Sequence, residues 1–148
     1  MKVLITKYTT AFLPYFITEV VLKHLAALDT NQDIADFANS KAFPQTKYLN
    51  IKLSSGYDAR VRLQLPPNAD LTGKIKYPLL VDVYAGPDSY NGFDKWDLTW
   101  GDYLASSKSI IYAQINGRGS GLRGDNLMHE IYYGFGTVEV EDQIETTK

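Results

Sequence analysis

Two stretches of the chain are apolar without the strict alternation that marks a half-exposed strand. They cover residues 78–84 and 109–115 and are rich in Leu, Val and Ile. Apolar runs of this length are typical of strands buried on both faces of a mostly parallel sheet. Residues 94–107, which lie between them, predict a helix because apolar positions recur there at helical spacing. These positions are Trp96, Trp100, Tyr103 and Leu104. The three elements together predict a β-α-β unit.

The chain before this unit shows the pattern of a β-hairpin. Residues 48–53 and 57–65 alternate apolar and polar side chains around Ser54-Ser55-Gly56. Alternation on both sides of a short turn predicts two antiparallel strands. The second strand then presents two faces, one formed by Val61, Leu63 and Leu65 and the other by Arg60, Arg62 and Gln64.

The remaining parts of the chain predict short elements. Residues 2–5 and 15–21 favour strands, although the second could instead begin a helix that runs to Leu28. Residues 32–39 predict a short helix. A last helix is expected from Thr137 onward. Its first turns carry Glu139, Glu141 and Asp142.

Composition limits the possible functions. The chain has 148 residues, enough for one domain with a sizeable core, and 13% of them are aromatic. Its net charge of −2 does not suggest a nucleic-acid partner. It contains no cysteine, so neither a disulfide framework nor a thiolate metal site can form. No convincing signal peptide or membrane-spanning run occurs.

The glycine-rich loop, residues 117–124, is the first candidate for chemistry. Its backbone N–H groups and two arginines could hold a phosphate. However, neither the P-loop sequence nor a complete Gly-x-Gly-x-x-Gly is present. We therefore favour a structural loop in which Arg118 and Arg123 hold neighbouring acids and carbonyls.

Other candidates are weaker. His24 and His129 lie far apart in sequence and neither has a second ligand at helical spacing, so we predict no metal and no cofactor. Glu139, Glu141 and Asp142 could form an acid/base pair, but carboxylates are in any case favoured at a helix N-terminus. No Gly-x-Ser-x-Gly nucleophile sequence is present.

Tyr84 is the strongest single candidate. The apolar run of residues 78–84 stops at Tyr84-Ala85-Gly86-Pro87, where Gly permits a tight turn and Pro prevents further ladder bonding. Open α/β sheets bind their ligands at the carboxyl ends of their strands. Composition and spacing alone therefore predict part of an α/β domain with a tyrosine at the carboxyl end of a strand, where a ligand could bind.

A longer ordered set of motifs resembles the dipeptidyl peptidase IV family of serine peptidases. It begins with Tyr-Pro-Leu-Leu-Val-Asp-Val-Tyr-Ala-Gly-Pro at residues 77–87 and continues with Gly-Arg-Gly-Ser-Gly at residues 117–121. It ends with Gly-Thr-Val-Glu-Val-Glu-Asp-Gln-Ile-Glu at residues 136–145. The match is dense over residues 77–145 and looser over residues 47–76.

The resemblance implies an α/β fold in two parts. Residues 1–46 are expected to be the end of a β-propeller and the crossing segment. Residues 47–148 are expected to be the N-terminal portion of an α/β-hydrolase domain. The family's nucleophilic Ser, and its Asp and His, would all fall beyond Lys148, so we expect a fragment that is inactive alone.

The resemblance also assigns a role to Tyr84. In the family, the matching tyrosine donates its phenolic O–H to the oxyanion of the tetrahedral intermediate, and a phenol is a neutral donor at pH 7. The implied substrates of the intact parent are peptides with Pro or Ala in second position. The cell-surface or secreted branch matches best and implies a homodimer at the plasma membrane or outside the cell. Asp88 and Asn116 depart from the family pattern beside the site.

Two other functions remain open from the residues. Members of the family that lack activity lose the tyrosine of the Val-Tyr-Ala-Gly-Pro motif, which this chain keeps. A non-catalytic, dipeptidyl-peptidase-like interaction protein is nevertheless one alternative. A stand-alone α/β domain that binds a small ligand through its glycine-rich loop is the other.

Overall fold

The computed structural model describes residues 30–92 and 97–148. The chain divides into two compact units, residues 1–41 and residues 42–148. Helix α1, Gln32–Asn39, belongs to the first unit and confirms the helix predicted there. The elements predicted at residues 2–5 and 15–21, and the alternative helix running to Leu28, lie outside the described residues.

The second unit contains a mixed four-stranded sheet with the strand order β1-β2-β4-β3. Its elements in chain order are β1 Gln45–Lys52, β2 Asp58–Leu65, β3 Leu79–Asp82, α2 Trp100–Lys108, β4 Ile111–Asn116, α3 Asp125–His129 and α4 Val138–Thr146. In the described part of the chain, no helix is long and apolar enough to cross a membrane.

The predicted hairpin is confirmed. Strands β1 and β2 pair antiparallel from Gln45 opposite Leu65 to Lys52 opposite Asp58. The turn between them closes through a hydrogen bond from the Leu53 N–H to the Tyr57 carbonyl oxygen at 2.9 Å. The apolar face of β2 contributes to the buried core, which is formed by Leu53, Ala59, Val61 and Ile115.

The β-α-β unit is confirmed, because β3 and β4 pair in parallel and α2 lies between them in the chain. The predicted burial holds for only one of the two strands. In the central strand β4, Ala113 and Ile115 are almost fully buried. In β3, Leu79 and Leu80 remain 50% and 40% exposed. Strand β3 is an edge strand, so among the described residues it has a strand neighbour on one side only.

Helix α2 turns a different face inward from the one predicted. Trp100 and Tyr103 are exposed, whereas Leu104 and Ala105 are buried. The reason is the close approach of Gly101 to the sheet, where an added Cβ would lie 2.5 Å from the ring of Tyr112. Small residues, not the aromatic ones, allow this contact. Position 96 lies outside the described residues.

Candidate active site

Tyr84 lies two residues beyond the end of β3, at the carboxyl end of the parallel pair. It belongs to the Tyr84 loop, which we define as residues 83–92. Its side chain is 63% exposed, and its ring lies 4.0 Å from the position of a Cβ built on Gly86. An exposed phenol can donate a hydrogen bond to a bound ligand.

A tight turn follows Tyr84. The Ser89 N–H donates to the Gly86 carbonyl oxygen at 3.1 Å, which makes Pro87 and Asp88 the two central residues. Asp88 has a φ of 55°. Proline first and a positive φ second are the features of a type II turn, and Asp is among the residues that tolerate this conformation. The Ser89 hydroxyl then donates to the Tyr84 carbonyl oxygen at 3.2 Å. The turn therefore fixes the backbone of Tyr84.

The Tyr84 loop is attached to the glycine-rich loop, which follows β4 and contains no regular structure in residues 117–124, as predicted. The Asp88 N–H donates to the Gly119 carbonyl oxygen at 3.1 Å, and the Gly121 N–H donates to the Ser89 carbonyl oxygen at 2.9 Å. Ser89 also forms a parallel bridge with Ser120. The two loops therefore meet through main-chain hydrogen bonds.

Asn116 holds the far end of the Tyr84 loop. Its Oδ1 accepts from the Asn91 N–H at 2.8 Å, and its Nδ2 donates to the Asn91 carbonyl oxygen at 2.5 Å. The side chain is almost fully buried. An ionised Asp can only accept, so the amide at this position makes a bond that an aspartate could not. Sequence reasoning noted Asn116 only as a departure from the family pattern and missed this role.

Arg118 and Asp142 form a buried ion pair that holds the glycine-rich loop against α4. The guanidinium donates to Asp142 Oδ1 from Nη2 at 2.6 Å and from Nε at 3.0 Å. The Arg118 backbone N–H donates to Asp142 Oδ2 at 2.7 Å. Asp142 is completely buried. The hydrogen bond to Asp142 raises the pKa of the Arg118 guanidinium.

The structural role predicted for the two arginines is confirmed. Arg118 binds the Asp142 carboxylate, and the Arg123 guanidinium donates to the Asp58 carbonyl oxygen on β2. Both cations are therefore engaged with protein acceptors. The glycine-rich loop is a structural element that joins the sheet to α4.

The three carboxylates at the start of α4 do not form an acid/base pair, because each is engaged either by backbone N–H groups or by Arg118. Glu139 accepts from the backbone N–H groups of Gly136 and Thr137 and so closes the helix N-terminus. Asp142 faces Arg118, and the exposed Glu141 reaches the same guanidinium at 3.4 Å. Glu139 and Glu141 agree with the interpretation that they are ordinary acids of a helix N-terminus, whereas the buried Asp142 has a structural role as the partner of Arg118.

A largely apolar groove of about 270 Å³ lies on the Pro87–Asp88 side of the Tyr84 loop. Its lining is Pro87, Asp88, Met128, His129, Ile131, Tyr132 and Phe135. A larger cleft of about 340 Å³ lies over β1 and β2 and reaches the other end of the Tyr84 loop at Tyr90 and Gly92. The Tyr84 side chain lines neither of these two cavities. Among the described residues no group of acids and histidines could hold a metal ion. His24 lies outside them.

Comparison with known proteins first defines the class. A model described as the prolyl oligopeptidase family matches residues 96–148. Dipeptidyl peptidase 4 of Bos taurus is 43% identical over 126 residues, which are 85% of this chain and 16% of that protein. Venom dipeptidyl peptidase 4 of Apis mellifera is 36% identical over 137 residues, 91% of this chain and 17% of that protein.

A solved structure extends the likeness to the fold. The crystal structure of Porphyromonas gingivalis dipeptidyl peptidase 4 superimposes with a TM-score of 0.72 at 29% identity, and the match covers 83% of this chain and 17% of that one. The chain belongs to the dipeptidyl peptidase IV family of prolyl oligopeptidase-type serine peptidases. It spans about a sixth of the length of these relatives. Its mixed α/β sheet is similar to the dipeptidyl peptidase 4 structures.

Proposed function

We propose that these residues form the oxyanion side of a serine-type dipeptidyl peptidase, in which the Tyr84 hydroxyl donates a hydrogen bond to the oxyanion of the tetrahedral intermediate. The observation that carries the proposal is the position of Tyr84. Its exposed phenol lies just beyond the carboxyl end of a parallel strand, which is where α/β folds bind their ligands. A preorganised donor of this kind stabilises the charge that develops on the carbonyl oxygen.

The rest of the catalytic machinery is proposed to lie in other parts of an intact peptidase. The nucleophilic Ser would follow α4 in a Gly-x-Ser-x-Gly sequence, which these 148 residues do not contain. Asp and His would follow later. A β-propeller that ends within residues 1–46 is proposed to precede the hydrolase domain. The intact protein is further proposed to be a homodimer, membrane-anchored or secreted.

The proposed substrates are peptides with Pro or Ala in second position, from which the enzyme releases the N-terminal dipeptide. The 148-residue chain alone is expected to be inactive, because it would supply one oxyanion donor without a nucleophile. Incubation of the purified chain with a Gly-Pro chromogenic substrate tests this expectation. Cleavage above the buffer blank would contradict it.

Substitution of Tyr84 in the intact peptidase tests the catalytic role. Tyr84→Phe is expected to lower kcat about 10²- to 10³-fold and to leave KM nearly unchanged, because the lost hydrogen bond acts mainly in the transition state. Tyr103→Phe makes the same chemical change on the exposed side of α2 and serves as the control. If both variants keep near-normal turnover, Tyr84 is not the oxyanion donor.

The alternative function is that of a non-catalytic, dipeptidyl-peptidase-like interaction protein. An intact wild-type protein that is inactive and carries another residue in place of the nucleophilic Ser supports this alternative.

A further inference from the structure

The backbone position of Tyr84 depends on a series of contacts that leads away from the substrate. The first is the hydrogen bond from the Ser89 hydroxyl to the Tyr84 carbonyl oxygen. The second joins Ser89 to the glycine-rich loop, through the bridge to Ser120 and the bond from the Gly121 N–H. Ser89 and Ser120 are both buried. A shift of one loop at this point therefore shifts the other.

The third contact joins the glycine-rich loop to α4. Asp142 accepts from both the backbone N–H and the guanidinium of Arg118, so the carboxylate fixes the main chain and the side chain of the same residue. Gly117 leaves no free space at this contact, because an added Cβ would lie 2.7 Å from Asp142 Oδ2 and 2.8 Å from Asp142 Cβ. Close packing of this kind transmits small displacements.

We propose that Arg118 and Asp142 are positioning residues for the reaction, and that they act by setting the place of the Tyr84 hydroxyl through the glycine-rich loop. This inference rests on the oxyanion role proposed for Tyr84. Neither residue touches the substrate. Loss of the pair lets the glycine-rich loop relax, and the attached turn at Ser89 then carries Tyr84 away from the oxyanion.

If the pair serves stability alone, its loss lowers the fraction of folded enzyme and leaves the turnover of each folded molecule unchanged. If the pair acts through Tyr84, its loss lowers kcat, and this effect disappears once the Tyr84 hydroxyl has been removed. A double-mutant cycle in the intact peptidase separates the two cases.

The cycle combines Asp142→Asn with Tyr84→Phe and normalises activity to folded enzyme. Asp142→Asn alone is expected to lower kcat about 10- to 100-fold with little change in KM, the size of effect that a remote misplacement can have. In the Tyr84→Phe background the same change is expected to cost less than about threefold, because the two changes are coupled. An equal loss of kcat in both backgrounds, or no loss in either, overturns the inference.

Glu145→Gln is the matched control. Glu145 is on the same helix, but its carboxylate accepts from the N–H and hydroxyl of Ser54 at the β1–β2 turn. The substitution removes a carboxylate from α4 whose hydrogen bonds go to Ser54, a residue of neither loop, and whose charge acts on Arg118 only at longer range. It is expected to leave kcat per folded enzyme unchanged in both backgrounds.

Two milder variants keep the inference testable if Asp142→Asn does not fold. Arg118→Lys retains the charge and loses the bidentate contact, and Ser89→Ala removes only the hydroxyl that bonds to Tyr84. Each is expected to lower kcat in wild type and to have little effect after Tyr84→Phe; additive behaviour of both overturns the inference. Failure of the oxyanion proposal is distinct, because Tyr84→Phe alone would then keep normal turnover.

Discussion

The two loops that follow the parallel strands differ in what surrounds them. The Tyr84 loop extends from the edge strand β3, and both Val83 and Tyr84 are more than half exposed. The glycine-rich loop extends from the central strand β4, and its first part, residues 117–121, is mostly buried, whereas Leu122 is exposed. The two loops meet in main-chain hydrogen bonds.

The difference separates a loop with strong structural partners from a loop with an exposed tyrosine. The buried loop has strong partners of its own, above all the contact of Arg118 with Asp142. The Tyr84 loop is tied to it near Ser89, and its Tyr84 side chain is exposed. We therefore expect substitutions in the buried loop to lower stability most, and substitutions at Tyr84 to affect turnover without a comparable loss of stability.

The largest effect on stability is expected at the ion pair. Asp142→Ala should lower the free energy of unfolding by about 3–5 kcal/mol, because it leaves the mostly buried Arg118 cation without its partner. Glu141→Ala removes an exposed carboxylate from the same guanidinium and should cost less than about 1 kcal/mol. Urea unfolding of the two variants measures the difference. Equal losses would mean that burial does not distinguish the two contacts.

The next largest effect on stability is expected in the strands that precede the two loops. Ile115→Ala in β4 should cost about 2–5 kcal/mol, because Ile115 is 1% exposed and the truncation leaves a cavity in the core. Leu80→Ala in β3 should cost less than about 1.5 kcal/mol, since 40% of Leu80 is already exposed. Both losses of stability are measured as shifts in the midpoint of urea unfolding between variants that share the same denaturant slope. A larger loss at Leu80 would show that β3 is covered in the intact protein.

A smaller effect should appear where the loops touch. A Cβ on Gly121 would lie 2.3 Å from Asp88 Oδ1 and 2.9 Å from the Asp88 carbonyl oxygen. Gly121→Ala should therefore cost about 1–3 kcal/mol, and Asp88→Gly in the same protein should restore part of it. A Cβ on Gly134 would lie 3.3 Å from the Thr137 hydroxyl oxygen, with its next neighbours at 4.0 Å, so Gly134→Ala should cost less than about 1 kcal/mol. Thermal unfolding of the three variants measures these losses of stability. A Gly121→Ala variant as stable as wild type would contradict the predicted contact with Asp88.

The smallest effect is the pH dependence of Glu145, whose hydrogen bonds go to the β1–β2 turn and not to either loop. Hydrogen bonds from Ser54 lower the pKa of Glu145 below its ordinary value of 4.5. A carboxyl whose pKa is lowered by folding stabilises the folded state above its unfolded pKa, and this contribution disappears as pH falls through the folded pKa. The difference in Tm between wild type and Glu145→Gln should therefore narrow when the pH is lowered from 7 through this range, as thermal scans at each pH would reveal. A difference in Tm that is independent of pH would exclude this linkage.

Local sequence patterns predicted most of the elements in the described part of the chain. The alternation around Ser54-Ser55-Gly56 identified the hairpin, and the apolar run after residue 108 identified the central strand β4. The arginines of the glycine-rich loop were correctly assigned to structural contacts. The motifs of residues 77–145 identified the family. The oxyanion role of Tyr84 stays a prediction.

Local patterns were sufficient to predict most of the strands and helices of the described residues, although not α3, and ordered motifs were sufficient to identify the family, because both are properties of neighbouring residues. The position of β3 at the edge of the described sheet, and the contact of Gly101 instead of the aromatic residues of α2 with the sheet, became visible only in the folded chain. The folded chain also shows that Asp142 is the partner of Arg118 and Asn91 that of Asn116. These outcomes depend on which distant segments meet, and residues more than 20 positions apart carry no local pattern that specifies their contact.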